Sequence, residues 1–152
     1  MESQNKYKFS VFTCTYNRAN LLPRVYESLR AQSFRDFEWI LIDNGSTDNT
    51  QDVIAPWLAA AEFPIRHIKH DTNRGLQARY NEGIDIAQGE FWLSLDSDDA
   101  CNPDTLETFY ALWNEIPDAD KPNFCGVTVN CQTQHGELDG DLYPEDLSLI
   151  HI

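Results

Sequence analysis

Five short runs rich in β-branched and aromatic residues punctuate this chain: FSVFTCT (9–15), FEWILID (37–43), IRHIKH (65–70), EFWLSL (90–95) and FCGVTVN (124–130). Runs of that length and composition read as buried strands. Between them the apolar period changes to that of a helix. In NLLPRVYESLRAQ, Leu22, Val25, Tyr26 and Leu29 share one helical face, with Asn20 as the expected N-cap and Pro23 tolerable in the first turn. Val53, Ile54, Trp57 and Leu58 mark a second helix, in which Pro56 predicts a kink or an early break. Leu76, Tyr80, Ile84 and Ala87 outline a third that ends near Gly89. Leu106, Phe109, Tyr110 and Trp113 form a fourth, with Asn102 as cap and Pro103 at the first helical position. Strands alternating with helices predict an α/β fold with right-handed crossovers and a largely parallel, helix-covered sheet.

The charge balance narrows what such a sheet can serve. The 25 acidic residues against 11 basic ones give a net charge of −14. Nucleic acid and anionic membranes call for a positive patch, so both are disfavoured as partners. An anionic substrate would need metal help. No apolar run approaches the roughly 20 residues of a membrane-spanning helix, and MESQNKYKFS lacks a leader's apolar stretch, which makes a cytoplasmic location the expectation. Cys14, Cys101, Cys125 and Cys131 form no CxxC pair, so reduced, mostly buried thiols are expected rather than structural zinc. Neither GxGxxG nor GxxxxGK[ST] occurs, which disfavours dinucleotide-binding and P-loop chemistry.

The acids of LSLDSDD (93–99) follow the fourth strand directly. Crowded carboxylates repel one another, and a cation is the simplest remedy. Mg²⁺ and Mn²⁺ commonly bind through one or two carboxylates with substrate phosphates completing the shell, a task that suits Asp96 and Asp98. If the segment stays extended past Leu95, Asp96 and Asp98 share one side while Ser97 and Asp99 take the other. Polar residues also follow the other strands: TYNR (15–18), DNGSTD (43–48) and DTNRG (71–75). Singly, each loop also reads as a turn or helix cap, and the acids as a solvated turn. Together they form one rim, at the strand ends where open α/β sheets bind ligands.

These segments, from FSVFTCTYNRANLLPRVYESLRAQSFRDFEWILIDNGSTDNT to NRGLQARYNEGIDIAQGEFWLSLDSDD, resemble the nucleotide-sugar-binding half of a family 2 glycosyltransferase over roughly residues 8 to 115. The resemblance implies the GT-A fold, a Rossmann-like three-layer sandwich with a mostly parallel central sheet, here truncated. It implies an N-terminal tail over 1–8, a nucleotide-sugar-binding domain over 9–131, and an acidic segment over 132–152 that begins a missing acceptor-binding part. Carried over residue by residue, it places Thr15, Tyr16 and Arg18 under the nucleotide base and makes Asp43 an acceptor for a uracil-like edge. Arg74 and Arg79 lie near base and diphosphate, Asp96 with Ser97 faces the ribose or sugar, and Asp98 holds Mn²⁺ or Mg²⁺. One departure stands out: the family usually has a second Asp after the strand-two Asp, where this chain has Asn44.

The implied reaction is metal-dependent, inverting transfer of a sugar from a nucleoside diphosphate, UDP-linked, to an acceptor hydroxyl on a glycan, lipid carrier or protein. The family's general base lies in a later segment. The PED at 144–146 comes too early to supply it, so no catalytic base is assigned, and membrane association, if any, would come through the missing part. The alternative is a catalytically inactive module that binds nucleotide sugars. Two other classes fit less well. A haloacid dehalogenase-like phosphatase carries DxDx[TV] on its first strand, whereas here the motif is on strand four and Ala100 takes the Thr/Val place. A receiver domain would want acids after strand one and a Lys after strand five, where Thr15 and Gln132 sit.

Overall fold

The computed structural model describes residues 5–60, 62–128, 131–133 and 135–139. It resolves into two compact units, Met1–Leu106 and Glu107–Ile152. The first holds a four-stranded parallel sheet: β1 (Tyr7–Thr15), β2 (Phe37–Asp43), β3 (Ile65–Lys69) and β4 (Gly89–Ser94), in the order β3-β2-β1-β4. Three helices connect them: α1 (Leu22–Arg30), α2 (Thr50–Ala60) and α3 (Leu76–Ile86). A fourth, α4 (Thr105–Glu115), runs across the boundary between the units. Strand order reverses between β1 and β4, so the crevice there is the expected ligand position of an open α/β sheet.

Burial on both faces explains why the central strands β1 and β2 read as continuous apolar runs. All seven residues of β2 are buried. On one face Phe12, Ile40 and Ile42 pack with Cys14, Ile68, Tyr80, Ile86 and Trp92. Phe12 stacks on Trp92 at 5.0 Å, and at Gly83 of α3 a Cβ would come within 2.6 Å of the Phe12 ring. Only glycine lets the helix lie this close. On the other face the Tyr26 ring of α1 stacks on Trp57 at 4.5 Å and lies near Trp39. Trp39 itself is fully buried and donates its indole N–H to Thr13 Oγ1 at 3.0 Å, which satisfies a polar group that would otherwise cost stability.

At the N-terminal ends of the strands a polar cluster closes the base of the sheet. Glu38, 2% exposed, accepts hydrogen bonds from Ser10 Oγ and the Gln88 amide and pairs with Arg66 at 2.9 Å. The charge is buried but surrounded by donors, the condition under which burial is tolerated.

Four expectations are corrected. Asn20 does not cap α1: Leu21 holds that position, and no side chain caps the helix, although Leu22, Val25, Tyr26 and Leu29 are buried as the period requires. Of the kink or early break expected at Pro56, the break does not occur, since α2 continues to Ala60; Asp52, whose carbonyl loses its intrahelical donor, and Pro56 are both exposed, so water can satisfy that carbonyl. On α3, Leu76 and Ile84 are exposed while Arg79 and Gly83 are buried, because the face against the sheet is chosen by close approach and a polar contact rather than by the apolar stripe. α4 begins at Thr105, and the Thr105 amide bonds the carbonyl of Asn102, so Asn102 and Pro103 precede the helix in a turn.

The fifth strand expected over 124–130 is not formed at 124–128, and residues 129 and 130 lie outside the described residues. A two-residue antiparallel pair, β5 (Cys131–Gln132) with β6 (Leu138–Asp139), follows instead in the second unit. No helix among the described residues is long and apolar enough to cross a membrane.

Candidate functional site: the rim at the strand ends

All nine residues singled out in the sequence lie at the C-terminal ends of β1 to β4: Thr15 and Asp43 close their strands, the others stand in the loops and the first helical turn that follow, and three sets of hydrogen bonds tie these loops into one rim. Asn17, in left-handed backbone at φ 52°, joins the first loop to the second. Its amide donates to Ser46 Oγ at 2.9 Å and its side-chain oxygen accepts from the Thr47 amide at 2.8 Å. Asparagine tolerates this backbone region better than most residues. Asp48 adds a tie, accepting from the Ala19 amide at 3.2 Å, and the Thr50 hydroxyl it also accepts from holds its carboxyl below the usual carboxylate range.

Asn44 joins the second loop to the third. It is 3% exposed; its Oδ1 accepts from Arg79 Nε at 2.8 Å and from the Arg74 amide at 3.1 Å, and its Nδ2 donates to Asn73 Oδ1 at 3.0 Å. The family's carboxylate at this place could accept the first two contacts but could not donate the third. Gly45 beside it, at φ +89°, approaches so closely that a Cβ would lie 2.7 Å from the Thr72 carbonyl carbon. Asparagine and glycine here are therefore one solution to loop packing.

The first loop meets the fourth across the β1/β4 crevice. Arg18 places one guanidinium nitrogen, NH1, 2.9 Å from Asp98 Oδ1 and 3.0 Å from Ser97 Oγ. Ser97 is buried, whereas Asp98 and Arg18 are about half exposed. The segment does not stay extended past Leu95, so the predicted two-sided alternation of acids is corrected: the Asp99 amide bonds the Asp96 carbonyl at 3.1 Å, and the chain turns. The turn exposes Asp96, buries Ser97 and leaves Asp98 between.

The nine residues separate into committed and open groups. Asp43, fully buried, spends one oxygen on the Ser46 amide at 2.8 Å and the other on Gln51 Nε2 at 2.6 Å. Arg79, 5% exposed, spends its three nitrogens on Asn44, on Glu82 at 2.9 Å and on the Thr72 carbonyl at 3.2 Å. Ser97 holds Arg18. In contrast, Thr15 Oγ1 is buried with no hydrogen-bond partner among the described residues. The Tyr16 ring is 44% exposed, the Arg74 side chain is exposed, and the Asp96 carboxylate is exposed. None of these three makes a side-chain hydrogen bond or ion pair with another described residue. The Thr15 hydroxyl, buried at the end of β1, therefore keeps its hydrogen-bonding capacity unspent by the described residues.

Two further groups lie near the rim, of which His67 was not singled out in the sequence and Cys14 was expected as a reduced, buried thiol and is free and partly buried. His67 of β3 is half-buried with Nε2 unpaired, and burial pushes its pKa down, with Lys69 adding and Asp43 opposing. Cys14 sits behind the rim; burial raises its thiol to about 11 against the opposing Arg79 charge, so it is neutral and unreactive at neutral pH. Among the described residues no group of three His, Cys, Asp or Glu side chains is arranged to hold a metal ion unaided. A cation sharing its shell with phosphate oxygens needs fewer protein ligands, and the exposed carboxylates of Asp96 and Asp98 fit that shared arrangement.

Comparison with known proteins identifies the family. The family model for glycosyl transferase family 2 matches residues 10–132. A PGL/p-HBAD biosynthesis glycosyltransferase of Mycobacterium tuberculosis is 37% identical over 114 residues, covering 74% of this chain and 44% of its own length. Glycosyltransferase GlyG of Streptococcus pneumoniae is 30% identical over 134 residues, covering 88% of this chain and 42% of its own. The structure of S. aureus TarS in complex with UDP-GlcNAc superimposes with a TM-score of 0.67 at 32% identity, over 71% of this chain and 31% of TarS. The chain thus spans less than half the length of these relatives. By profile, sequence and fold, it belongs to the family 2 glycosyltransferases, with the GT-A architecture.

Proposed function

We propose that this chain is the donor-binding part of a glycosyltransferase that takes a sugar from a nucleoside diphosphate, UDP-linked, and passes it with inversion to an acceptor hydroxyl. The observation that carries this reading is the open set on the rim: an unpartnered buried hydroxyl at Thr15, an exposed ring at Tyr16, an unpaired cation at Arg74 and free carboxylate at Asp96. Those are the groups a base, a diphosphate and a metal-bound sugar nucleotide require. TarS, which binds UDP and UDP-GlcNAc in its structures, supports the UDP choice.

In this reading Tyr16 offers a face to the base, and Thr15 donates to it from below. Asp43, buried with each oxygen already accepting one protein donor, meets a base N–H with its remaining lone pairs only where the loop it fixes gives way to the ligand. Arg74 neutralises the diphosphate. Arg79 acts one step back, holding Asn44 and the third loop in place. Asp96 faces the ribose or sugar, Ser97 steadies the turn, and Asp98 holds the divalent cation, Mn²⁺ or Mg²⁺. When bound, that cation screens the charge growing on the departing diphosphate. The acceptor's proton goes to a carboxylate general base that we place outside the described residues.

Calorimetric titration of UDP, GDP and CDP, with and without Mn²⁺, tests this. One nucleotide is expected to bind with a Kd of roughly micromolar to millimolar, about −8 to −4 kcal/mol, only with Mn²⁺, and Asp98→Ala should lose it. Metal-independent binding would remove the cation from the site. Failure of a folded chain to bind any nucleotide would overturn the reading. Robust transfer to a defined acceptor by the 152-residue chain would show that its role extends past donor binding.

A further inference from the structure

We infer that Arg18 is an internal counter-ion that occupies Asp98 in the free protein and leaves it for the nucleotide diphosphate when the divalent cation arrives. The inference rests on the metal role of Asp98 proposed above. Its own ground is geometric: one of the two oxygens with which Asp98 would hold a cation, Oδ1, is held 2.9 Å from Arg18 NH1. A cation and a guanidinium cannot both sit close to one carboxylate oxygen without strong repulsion.

The backbone of Arg18 is fixed while its tip is not. The preceding Asn17 is tied to Ser46 and Thr47, and the Arg18 carbonyl accepts the Leu21 and Leu22 amides at the start of α1. The side chain therefore starts from a rigid point at the β1/β4 crevice. At its tip only NH1 is engaged, shared between Asp98 and Ser97 Oγ, and among the described residues Nε and NH2 have no partner. Both side chains of the ion pair are nearly half exposed, so the pair is easily opened. A diphosphate is a better partner for the idle donors than one carboxylate oxygen, since a guanidinium fork matches phosphate geometry in two contacts.

The consequence is opposite signs for two ligands. In the absence of nucleotide Arg18 competes with the metal for Asp98; with nucleotide bound, its charge moves to the phosphates and the competition ends. Metal and nucleotide thereby help each other bind, as linkage requires. A surface ion pair without this role would change neither affinity, and an arginine that only contacts phosphate would not affect metal binding alone.

The test is titration of Mn²⁺, followed by the electron paramagnetic resonance signal of the free ion, into wild type, Arg18→Gln, Arg18→Lys and Asp98→Asn, each with and without UDP. Thermal melts confirm that each variant is folded. Arg18→Gln should bind Mn²⁺ alone about two- to fivefold more tightly than wild type, the size set by an exposed pair. Arg18→Lys, which keeps the charge, should stay near wild type, and Asp98→Asn should bind least. With saturating UDP the advantage of Arg18→Gln should vanish or reverse. Equal Mn²⁺ affinity for wild type and Arg18→Gln, with loss in Asp98→Asn, overturns the exchange and leaves the metal role of Asp98 standing. No Mn²⁺ binding, or binding unchanged in Asp98→Asn, overturns that metal role itself.

Discussion

Two arginines on the same rim, Arg79 and Arg18, make opposite kinds of contact. Arg79 is 5% exposed and uses all three nitrogens on protein acceptors of the second and third loops and its own helix. Arg18 is about half exposed and uses one nitrogen on the fourth loop. The side of the rim that Arg79 holds is built before any ligand arrives, through Asn44, Asn73 and the tight passage at Gly45. The side that Arg18 holds is a turn of acids attached by a contact that water can replace. Pre-organisation fits recognition of a rigid base, while an adaptable turn fits a cation and diphosphate that enter together.

The largest effect should come from Arg79→Ala. It removes the donor from three acceptors, Asn44, the Thr72 carbonyl and Glu82, and each buried acceptor left without a partner costs about 1–3 kcal/mol. Urea unfolding measures it. A loss below about 1 kcal/mol would show that the two sides of the rim are equally adaptable. Arg79→Lys should restore little, because a single ammonium cannot reach three acceptors in the geometry of a fork.

Gly45→Ala comes next. A residue with a Cβ at φ +89° is strained by about 1–3 kcal/mol, and this Cβ would also meet the Thr72 backbone at 2.7 Å. The second and third loops must separate to admit it, so hydrogen exchange at the Arg74 amide, which bonds Asn44, should accelerate. Unchanged exchange there would mean that the two loops are not held by this close approach.

The sequence carried β1 and β2 because their apolar runs are buried on both faces, and β2 matches its predicted limits, Phe37–Asp43. The rim was legible only from the loops taken together: each polar run alone also reads as a turn or cap, but four of them following four strands of one parallel sheet fall on the same edge. Which rim residues are committed was not legible. Arg79 and Arg74 look alike in a sequence, and only the fold turns one inward to Asn44 and the other outward. The α3 stripe misled because Gly83, contributing no apolar side chain, sets the face that packs against Phe12 and Trp92. Asn17 gave a faint signal as an asparagine following a strand end, a residue suited to left-handed backbone, yet its ties to Ser46 and Thr47 are long-range contacts that no local pattern contains.

The committed side also contains a pH-sensitive weakness. Burial lowers the pKa of His67 in the folded chain below its ordinary value of 6.5. Below pH 6.5 the unfolded chain therefore binds a proton that the folded chain refuses, and stability falls as pH drops from 6.5 through the lowered folded value. Denaturant midpoints between pH 7.5 and 5.5 should fall for the wild type and flatten in His67→Gln. A parallel fall in both proteins would assign the acid sensitivity to other groups.

Arg18→Ala should have the smallest effect on folding. Both partners of its ion pair are nearly half exposed, and such pairs contribute about 0.2–1 kcal/mol. Its backbone ties to α1 do not involve the side chain, and Ser97 Oγ, losing its donor, keeps its own hydroxyl proton to offer elsewhere. The midpoint of urea unfolding should therefore move little, whereas Arg79→Ala moves it far. A loss of 3 kcal/mol or more, on the scale expected when a buried pair is broken, would make Arg18 a structural staple like Arg79. The acidic turn would then be as pre-organised as the opposite side of the rim, and the contrast between the two arginines would disappear.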